Sequence, residues 1–271
     1  MHISSIGDRS IDYAPCRYNG SRLWFRGPRK ALRGPYVACL GGCEMYGRYV
    51  AEPLSDVLDA RVGPSVVNLG VENAGVDAYL NDPGALCTAA SAAITVLQLS
   101  GCHNTSNRYY SVHPRRNDRF LKASPDLTTL YPEMDFTEVH FTRHMLTRLQ
   151  EICPARYDKI IAEARRAWHA RIVSLIRQLN GKKILLWFAP QDLTDTIRSA
   201  DHVDPFLSRT LVHDLHTLAD GLVEVVPERW ALAETDGDIC ELEAARMERL
   251  PGPQAHQTAA DALANRIKSL L

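Results

Sequence analysis

Hydrophobic residues occur along the chain in five short runs, and the stretches between these runs carry apolar residues at helical spacing. A short apolar run bounded by Gly, Pro or Asn is typical of a strand buried on both faces, whereas an amphipathic stretch predicts a helix. Because buried strands alternate with helices, we predict an α/β fold in which helices cover both faces of a mostly parallel sheet. The predicted strands are residues 36–42, 65–70, 92–101, 182–190 and 223–227.

The same pattern predicts the domain organisation. We interpret residues 36–271 as one three-layer α/β/α domain with a five-stranded, flavodoxin-like sheet and a long insertion at 102–160. The insertion begins with a polar, aromatic and basic stretch that we interpret as a long loop. Residues 1–35 are predicted to be a basic extension packed on the core, with "SRLWFRG" as a short edge strand. Residues 136–179 are predicted to be largely helical, with a break at Pro154.

Composition limits the classes of protein to which the chain can belong. Hydrophobic residues make up 45% and charged residues 23%, which is ordinary for a globular protein. The net charge is −1, so we expect neither nucleic-acid binding nor attraction to a membrane surface. No apolar run approaches the ~18 residues of a membrane-spanning helix, and the seven cysteines have no repeating spacing. We therefore expect a cytoplasmic protein with reduced thiols and with no cofactor, metal or membrane insertion.

Charge is distributed unevenly along the chain. Residues 1–35 and 105–122 are strongly basic, whereas residues 201–250 hold twelve acidic residues against four arginines. Such a separation is able to create a surface that attracts anions. From the sequence alone, neutralisation of the basic regions by the acidic one stays open as the alternative.

Cys43 follows the first predicted strand directly, after the glycine pair Gly41 and Gly42. In parallel α/β sheets ligands bind outside the carboxyl ends of the strands, so this cysteine lies where chemistry is expected. If a helix begins here, its N-terminal N–H groups and its dipole favour the thiolate and lower the thiol pKa. The alternative is a small residue that fits a buried strand end, because cysteine is often buried.

Three further positions offer groups that such a cysteine would need. Gly70 ends the second predicted strand, where a glycine is able to bring its backbone N–H close to a reacting oxygen, and Asn104 follows the third strand with a side-chain donor for an oxyanion. His256 precedes the C-terminal helix and is a candidate base for Cys43. Turn formation accounts equally well for Gly70 and Asn104, and a capping role accounts for His256.

In this order, these segments resemble the sequence blocks of the SGNH (GDSL-like) hydrolase and acyltransferase superfamily. "GGCEMYG" resembles the first block, with Cys43 at the position of the nucleophilic serine. "NLGVENAG" resembles the second block, with Gly70 as an oxyanion donor, and "GCHN" resembles the third block with one inserted residue, which makes Asn104 another donor. "PQAH" retains the histidine of the fourth block as His256.

The departures from that superfamily concern the catalytic groups. Gly42 stands in place of the aspartate of the first block, and Pro253 in place of the aspartate that orients the histidine. The resemblance implies Cys43 as nucleophile, with its own N–H as an oxyanion donor, and His256 as base. This pair is able to work without the acid because a thiol ionises more readily than a hydroxyl. The acids that would replace the missing aspartate are Asp236, Asp238, Glu241, Glu243 and Glu248.

Nearly the whole chain also resembles an uncharacterised bacterial protein family, through "NLGVENAGVDAYLNDP", "SNRYYSVHPRRNDRF" and "DFTEVHFTRHML". In the second stretch, arginines suited to grip phosphate, sulfate or carboxylate follow the third strand. Ion pairing with the acidic region and a subunit interface are equal alternatives. His140 and His144 in the third stretch have metal-ligand spacing, but the glutamate of the zinc-protease pattern is missing. The predicted substrate-binding residues are Arg108, Tyr109, Arg115, Arg116 and Arg119.

Three functional hypotheses follow. The first is an SGNH-like esterase or acyl/acetyltransferase that acts on a carbohydrate-like or anionic small molecule through a cysteine nucleophile. The second is a non-catalytic binding or structural protein of the same fold that recognises an anionic partner through its basic loop. The third is a group transferase that uses a nucleotide-type anionic donor. The sequence leaves the oligomeric state open.

Overall fold

Five parallel strands form the central sheet in the computed structural model, which describes residues 11–193, 207–231 and 247–271. The described strands are β1 (Tyr36–Gly41), β2 (Ser65–Gly70), β3 (Ile94–Gln98), β4 (Tyr110–Val112), β5 (Phe120–Ala123), β6 (Lys182–Phe188) and β7 (Gly221–Val225). The order across the sheet is β2-β1-β3-β6-β7, and each neighbouring pair is parallel. This is the flavodoxin-like order of a doubly wound sheet, so the predicted fold class is confirmed.

Helices connect the strands and cover the sheet. The described α-helices are α1 (Cys43–Tyr46), α2 (Leu54–Asp59), α3 (Val76–Leu80), α4 (Pro83–Ala90), α5 (Pro125–Leu130), α6 (Thr142–Ile152), α7 (Pro154–Arg177), α8 (Arg209–His216) and α9 (Pro253–Lys268). Pro154 is the first residue of α7. Proline suits this position because it has no backbone N–H, and the N–H of a first helical residue has no partner within the helix. The predicted helical break is therefore confirmed.

The sheet is buried on both faces. In β1, Ala38 and Leu40 face the layer that contains α3, α4, α7 and α8, whereas Val37 and Cys39 face the layer that contains α2 and α9. All four side chains are fully buried. Successive strand residues point to opposite faces, so a strand between two helical layers has no position that faces solvent. This arrangement explains the uninterrupted apolar runs in the sequence.

Helix α9 completes the second layer by packing against α2 and β7. The residues that it buries are small along most of its length, which lets the helix approach the sheet closely, and Leu263 adds a larger buried side chain. Burial of such a leucine contributes about 1.5–3 kcal/mol. The buried alanines are Ala255, Ala259, Ala260 and Ala264.

Two sequence expectations are corrected by the fold. The stretch after β3 is not one long loop, because it contains a 3-10 turn (Cys102–Asn104) and the antiparallel hairpin of β4 and β5. These strands have only three and four residues, too few for a periodic pattern to be visible. The segment "SRLWFRG" is not an edge strand of the sheet but forms one bridge, between Cys16 and Phe25. Both residues are buried against the first helical layer.

Within the part of the chain that the structure describes, no helix has the length and apolar character needed to cross a membrane.

Candidate functional site

A cavity of about 410 Å³ opens beside the carboxyl ends of β1 and β3. This volume falls within the ~300–1,000 Å³ range of small-molecule sites. The turn into α1, the loop after β2 and the 3-10 turn after β3 form one part of its wall, at the sheet edge where ligands bind in such folds. The rest comes from the end of the hairpin, the start of α6 and the segment before α9. The lining residues are Gly42, Cys43, Glu44, Asn73, Ala74, Ser100, Gly101, His103, Asn104, Asp118, Phe141, Thr142, Arg143, His144, Arg249 and Leu250.

The sulfur of Cys43 is held by Asn73. The backbone N–H of Asn73 donates to Sγ at 3.2 Å, and the thiol donates to Asn73 Oδ1 at 3.4 Å. Asn73 has a φ of 57°, in the left-handed region that asparagine adopts more readily than most residues. Because the sulfur both donates and accepts, the contacts fit a protonated thiol.

The expected lowering of the Cys43 pKa is wrong. Burial, reinforced by the carboxylate of Glu44, raises the pKa of the thiol to about 12, although the N–H of Asn73 opposes the shift. Helix α1 has only four residues, so it supplies a much smaller dipole than a long helix would. Cys43 nevertheless remains partly exposed at the cavity wall. The site therefore holds a thiol that is accessible but not activated.

His256 is fully buried in the first turns of α9 and does not line the cavity. Its Nδ1 accepts the N–H of Leu54 at 2.9 Å, and its ring packs edge-on against Phe188. Burial, with a smaller effect from the charge of Arg26, lowers the pKa of His256 to about 3. Leu54 is the first residue of α2, where N–H groups have no partner within the helix, so His256 caps that helix. The structure does not bring His256 and Cys43 together as the predicted pair.

Gly70 does not supply an oxyanion donor to the cavity. Its N–H donates to Asn68 Oδ1 at 2.8 Å, and the residue is buried away from the cavity wall. The glycine is required for a different reason. A Cβ at this position would lie 2.4 Å from the backbone nitrogen of Tyr46, so Gly70 allows α1 to pack on the end of β2.

Asn104 lies where the sequence predicts it, on the cavity wall. Its carboxamide oxygen accepts a hydrogen bond from Thr142 Oγ1 at 2.8 Å. Cys43 and Asn104 thus face the same space from the loops after β1 and β3. Of the predicted site residues, these two are the ones that line the cavity.

None of the five residues predicted to bind substrate lines this cavity. Arg108 pairs with Asp126 at 2.8 Å and lies over the ring of Tyr109. Arg115 and Arg116 are exposed in the hairpin turn, where their N–H groups donate to the ring nitrogen of His113. The fifth residue, Arg119, is exposed and bridges to Phe141 through the backbone.

Positive charge reaches the cavity from two arginines that the sequence interpretation missed. Arg143 and His144 lie in the first turn of α6, and Arg249 precedes α9. All three are exposed. The segment of Arg143 and His144 carries one signal in the sequence, which is the spacing of His140 and His144. That pair is not a helical one, since α6 begins at Thr142 and leaves His140 outside it.

Two other titratable side chains of the wall have altered pKa values. Burial, together with the charge of Arg143, holds the pKa of His103 well below its usual range. Burial raises the pKa of Asp118, despite the opposing charges of nearby arginines. Asp118 Oδ1 is buried and has no hydrogen-bond partner among the described residues. The wall therefore favours a neutral histidine and disfavours a charged carboxylate.

The remaining expectations concern the missing acid and metals. Glu248 is exposed, and it is the one described residue among the acids proposed to replace the aspartate. Within residues 11–193, 207–231 and 247–271, no three His, Cys, Asp or Glu side chains are grouped closely enough to hold a metal ion. The other proposed acids, Asp236, Asp238, Glu241 and Glu243, lie outside the described residues.

Comparison with known proteins gives one family and several structural neighbours. The model of a family described as a domain of unknown function (DUF6473) matches residues 1–271. No curated protein matches the chain. A candidate lipolytic protein of the G-D-S-L family from Desulfitobacterium hafniense DCB-2 is 10% identical, with 86% of this chain and 99% of that chain covered and a TM-score of 0.41.

Two further solved structures give similar values. The lipase Lip_vut3 from goat rumen metagenome is 11% identical, with 88% of this chain and 98% of that chain covered and a TM-score of 0.40. A candidate platelet activating factor from Streptococcus pneumonia is 13% identical, with 88% and 86% covered and a TM-score of 0.42. The expected similarity to an uncharacterised family is confirmed by the family model, which covers the full sequence.

Proposed function

The chain belongs to this family of unknown function, and we propose that it binds a small molecule with an anionic group in the Cys43 cavity. The observation that carries this proposal is the presence of Arg143 and Arg249 on the cavity wall. Neither arginine forms an ion pair with another described residue. A guanidinium group with its hydrogen-bond donors available grips carboxylate, phosphate or sulfate through two hydrogen bonds.

Two carboxyl groups of the wall, those of Glu44 and Asp118, oppose this preference. Glu44 Oε2 accepts a hydrogen bond from Gln98 Nε2 at 3.0 Å, which occupies part of its carboxylate. Burial raises the pKa of Asp118, and the charges of Arg116 and Arg119 oppose this rise. Cys43 contributes a neutral thiol, because its pKa lies far above neutral pH. The exposed guanidinium groups of Arg143 and Arg249 are therefore the groups of the wall that favour an anion.

A titration with simple anions tests this proposal. We expect inorganic phosphate, sulfate or acetate to raise the melting temperature and to bind in calorimetry, since a ligand of the folded state stabilises it. Arg143→Ala and Arg249→Ala should each weaken binding by about tenfold or more, because each removes a charge-assisted hydrogen bond. Arg115→Ala and Arg116→Ala are the matched controls, since both residues are exposed but lie outside the cavity. Absence of binding, or equal losses in the controls, would contradict the proposal.

A second candidate is acyl transfer through Cys43. It is favoured by the placement of the Cys43 thiol and Asn104 on one wall. Sulfur would attack an acyl carbonyl, a C–S bond would form as the C–O bond breaks, and the thiol proton would pass to the leaving alkoxide. Water would then cleave the C–S bond, which releases the carboxylic acid and restores the thiol. Since His256 is buried elsewhere, the imidazole and carboxyl groups that line the cavity are those of Glu44, His103, Asp118 and His144.

Short p-nitrophenyl esters test this second candidate. We expect turnover that rises with pH toward the thiol pKa, is abolished by Cys43→Ala and survives in folded His256 variants. Turnover that persists in Cys43→Ala would exclude the cysteine as nucleophile. The nucleotide-type donor rested on the basic loop, whose arginines lie outside the cavity, so no observation favours it.

A further inference from the structure

The side chain of Asn104 is held through its carbonyl end. Thr142 Oγ1 donates to Asn104 Oδ1 at 2.8 Å, and Thr142 is 1% exposed. No described residue accepts a hydrogen bond from the Asn104 amide nitrogen, and the residue is partly exposed on the cavity wall. The acceptor half of the amide is thus engaged with protein, and the donor half has no acceptor among the described residues.

The orientation of this amide follows from the single proton of the Thr142 hydroxyl. The other acceptor in reach, the carbonyl oxygen of Asp118, lies 3.3 Å from Oγ1 and already accepts the Thr142 N–H at 3.0 Å. The shorter contact to Asn104, whose oxygen has no other described donor, therefore takes the hydroxyl proton. Because the two ends of an amide lie on opposite sides of Cγ, the NH₂ group of Asn104 points away from Thr142.

The backbone around this pair restricts both partners. Thr142 is the first residue of α6 and is tied to Asp118 through its N–H. Asn104 ends the 3-10 turn and lies close to Gly75. A Cβ added to Gly75 would lie 2.9 Å from the backbone carbonyl oxygen of Asn104. A restricted backbone leaves rotation of the amide as the main freedom of Asn104, and the threonine hydroxyl removes it.

We infer that Thr142 is a positioning residue that orients the Asn104 amide, so that the cavity presents a hydrogen-bond donor to an acceptor oxygen of its ligand. This inference rests on the proposed function, and it narrows the ligand to one whose carboxylate, phosphoryl or acyl oxygen lies beside Asn104. Loss of the Thr142 hydroxyl leaves the amide oxygen of Asn104 without its donor and allows the amide group to rotate.

Calorimetry with inorganic phosphate separates this role from a structural one. We expect Asn104→Ala to weaken phosphate binding by about tenfold, since a hydrogen bond to a charged group is lost. Thr142→Val, which keeps the shape but not the hydroxyl, should weaken it by about threefold to tenfold, whereas Thr142→Ser should stay within about twofold. The double variant Asn104→Ala/Thr142→Val should bind no more weakly than Asn104→Ala alone. Additive losses, or a loss in Thr142→Ser equal to that in Thr142→Val, would overturn the inference.

A second readout needs no ligand. The side-chain NH₂ signals of Asn104 are assigned in ¹⁵N–¹H spectra by their absence from Asn104→Asp. We expect one NH₂ pair in the native protein and in Thr142→Ser, and a shifted, broadened or doubled pair in Thr142→Val. Unchanged signals in a folded Thr142→Val would overturn the inference even if phosphate binds. If phosphate does not bind the native protein, the proposed function fails while this measurement still decides the role of Thr142.

Discussion

Cys43 and His256, which the sequence suggests as partners, are held in opposite ways. Cys43 is partly exposed beside a cavity of about 410 Å³, and its sulfur makes two hydrogen bonds to Asn73. His256 is fully buried, its Nδ1 accepts from Leu54, and its Nε2 has no partner among the described residues. One side chain lies where a ligand is able to reach it, and the other is sealed between a helix and the sheet.

This difference separates two kinds of information in a sequence motif. Three of the motif segments follow β1, β2 and β3, so their order along the chain reflects the order in which the chain forms these strands. The chemical pairing depends on which face of a helix carries a side chain, and a shift of one or two residues places the side chain on another face. His256 lies within α9 and faces α2, so its position in the order of segments is retained while its contact with the nucleophile position is not.

The largest effect should come from removing the buried imidazole. We expect His256→Ala to lower the free energy of unfolding by about 2–4 kcal/mol, because it leaves a cavity beside Phe188 and removes the cap of α2. Denaturant unfolding measures this change. His213→Ala, at an exposed position of α8, is the control and should change stability by less than about 0.5 kcal/mol. A fully stable His256→Ala with lost Cys43 chemistry would restore the catalytic interpretation.

The next effect concerns Gly70, to which the sequence motif assigns an oxyanion N–H. We expect Gly70→Ala to destabilise the fold by about 1–3 kcal/mol, since the new methyl group would collide with the backbone of α1. Gly63→Ala is the matched control, because a Cβ there meets no atom within 4 Å. Equal stability of the two variants in thermal unfolding, with weaker ligand binding in Gly70→Ala alone, would instead indicate a site role for Gly70.

The architecture was predictable because it depends on patterns that are local in sequence. Each of the five sheet strands appears as a short apolar run. Pro154 marks the start of a helix whatever the tertiary packing around it. The hairpin of β4 and β5 escaped prediction because its two strands are too short to show alternation. Its buried residues, such as Tyr110 and Val112, lie within a polar stretch that reads as a loop.

The site was predictable only where a residue follows a strand directly. Cys43 and Asn104 satisfy that condition, and both reach the cavity. Arg143 and Arg249 come from elements that no strand-end rule covers, and their meeting depends on how α6 and the segment before α9 pack over the sheet. The composition of the basic loop predicts anion binding, but composition does not reveal that Arg108 pairs with Asp126.

An effect that develops only as the pH falls should follow from the lowered pKa of His256. Above pH 6.5, the ordinary pKa, the imidazole is neutral in both states and its contribution to stability is fully present. Between pH 6.5 and about 3 the unfolded chain binds a proton that the native protein does not, so stability falls as the pH falls. The slope from this one group is about 1.4 kcal/mol per pH unit.

Denaturant unfolding between pH 4 and 7 isolates this slope when native protein is compared with His256→Gln. The variant lacks the imidazole, whereas His103, whose pKa is also lowered, contributes equally to both proteins and cancels. A steeper loss of stability at low pH is expected in the native protein. Parallel curves would mean that His256 is protonated in the folded state, and that it is less buried than its contacts indicate.

The smallest change in stability should come from Cys43→Ser. Serine also donates and accepts, so it retains both contacts to Asn73, and the partly exposed position tolerates the more polar side chain. We expect the free energy of unfolding to change by less than about 0.5 kcal/mol, as at surface positions. In the native protein, alkylation of Cys43 by iodoacetamide should rise through pH 9 without a plateau, whereas exposed Cys87 reacts faster at every lower pH. A cost in Cys43→Ser as large as that in His256→Ala would show that the sulfur belongs to the packed core. A plateau of the alkylation rate near neutral pH would show instead that the cavity stabilises a thiolate. Either result would remove the contrast between an open thiol and a sealed imidazole on which the assignment of their roles depends.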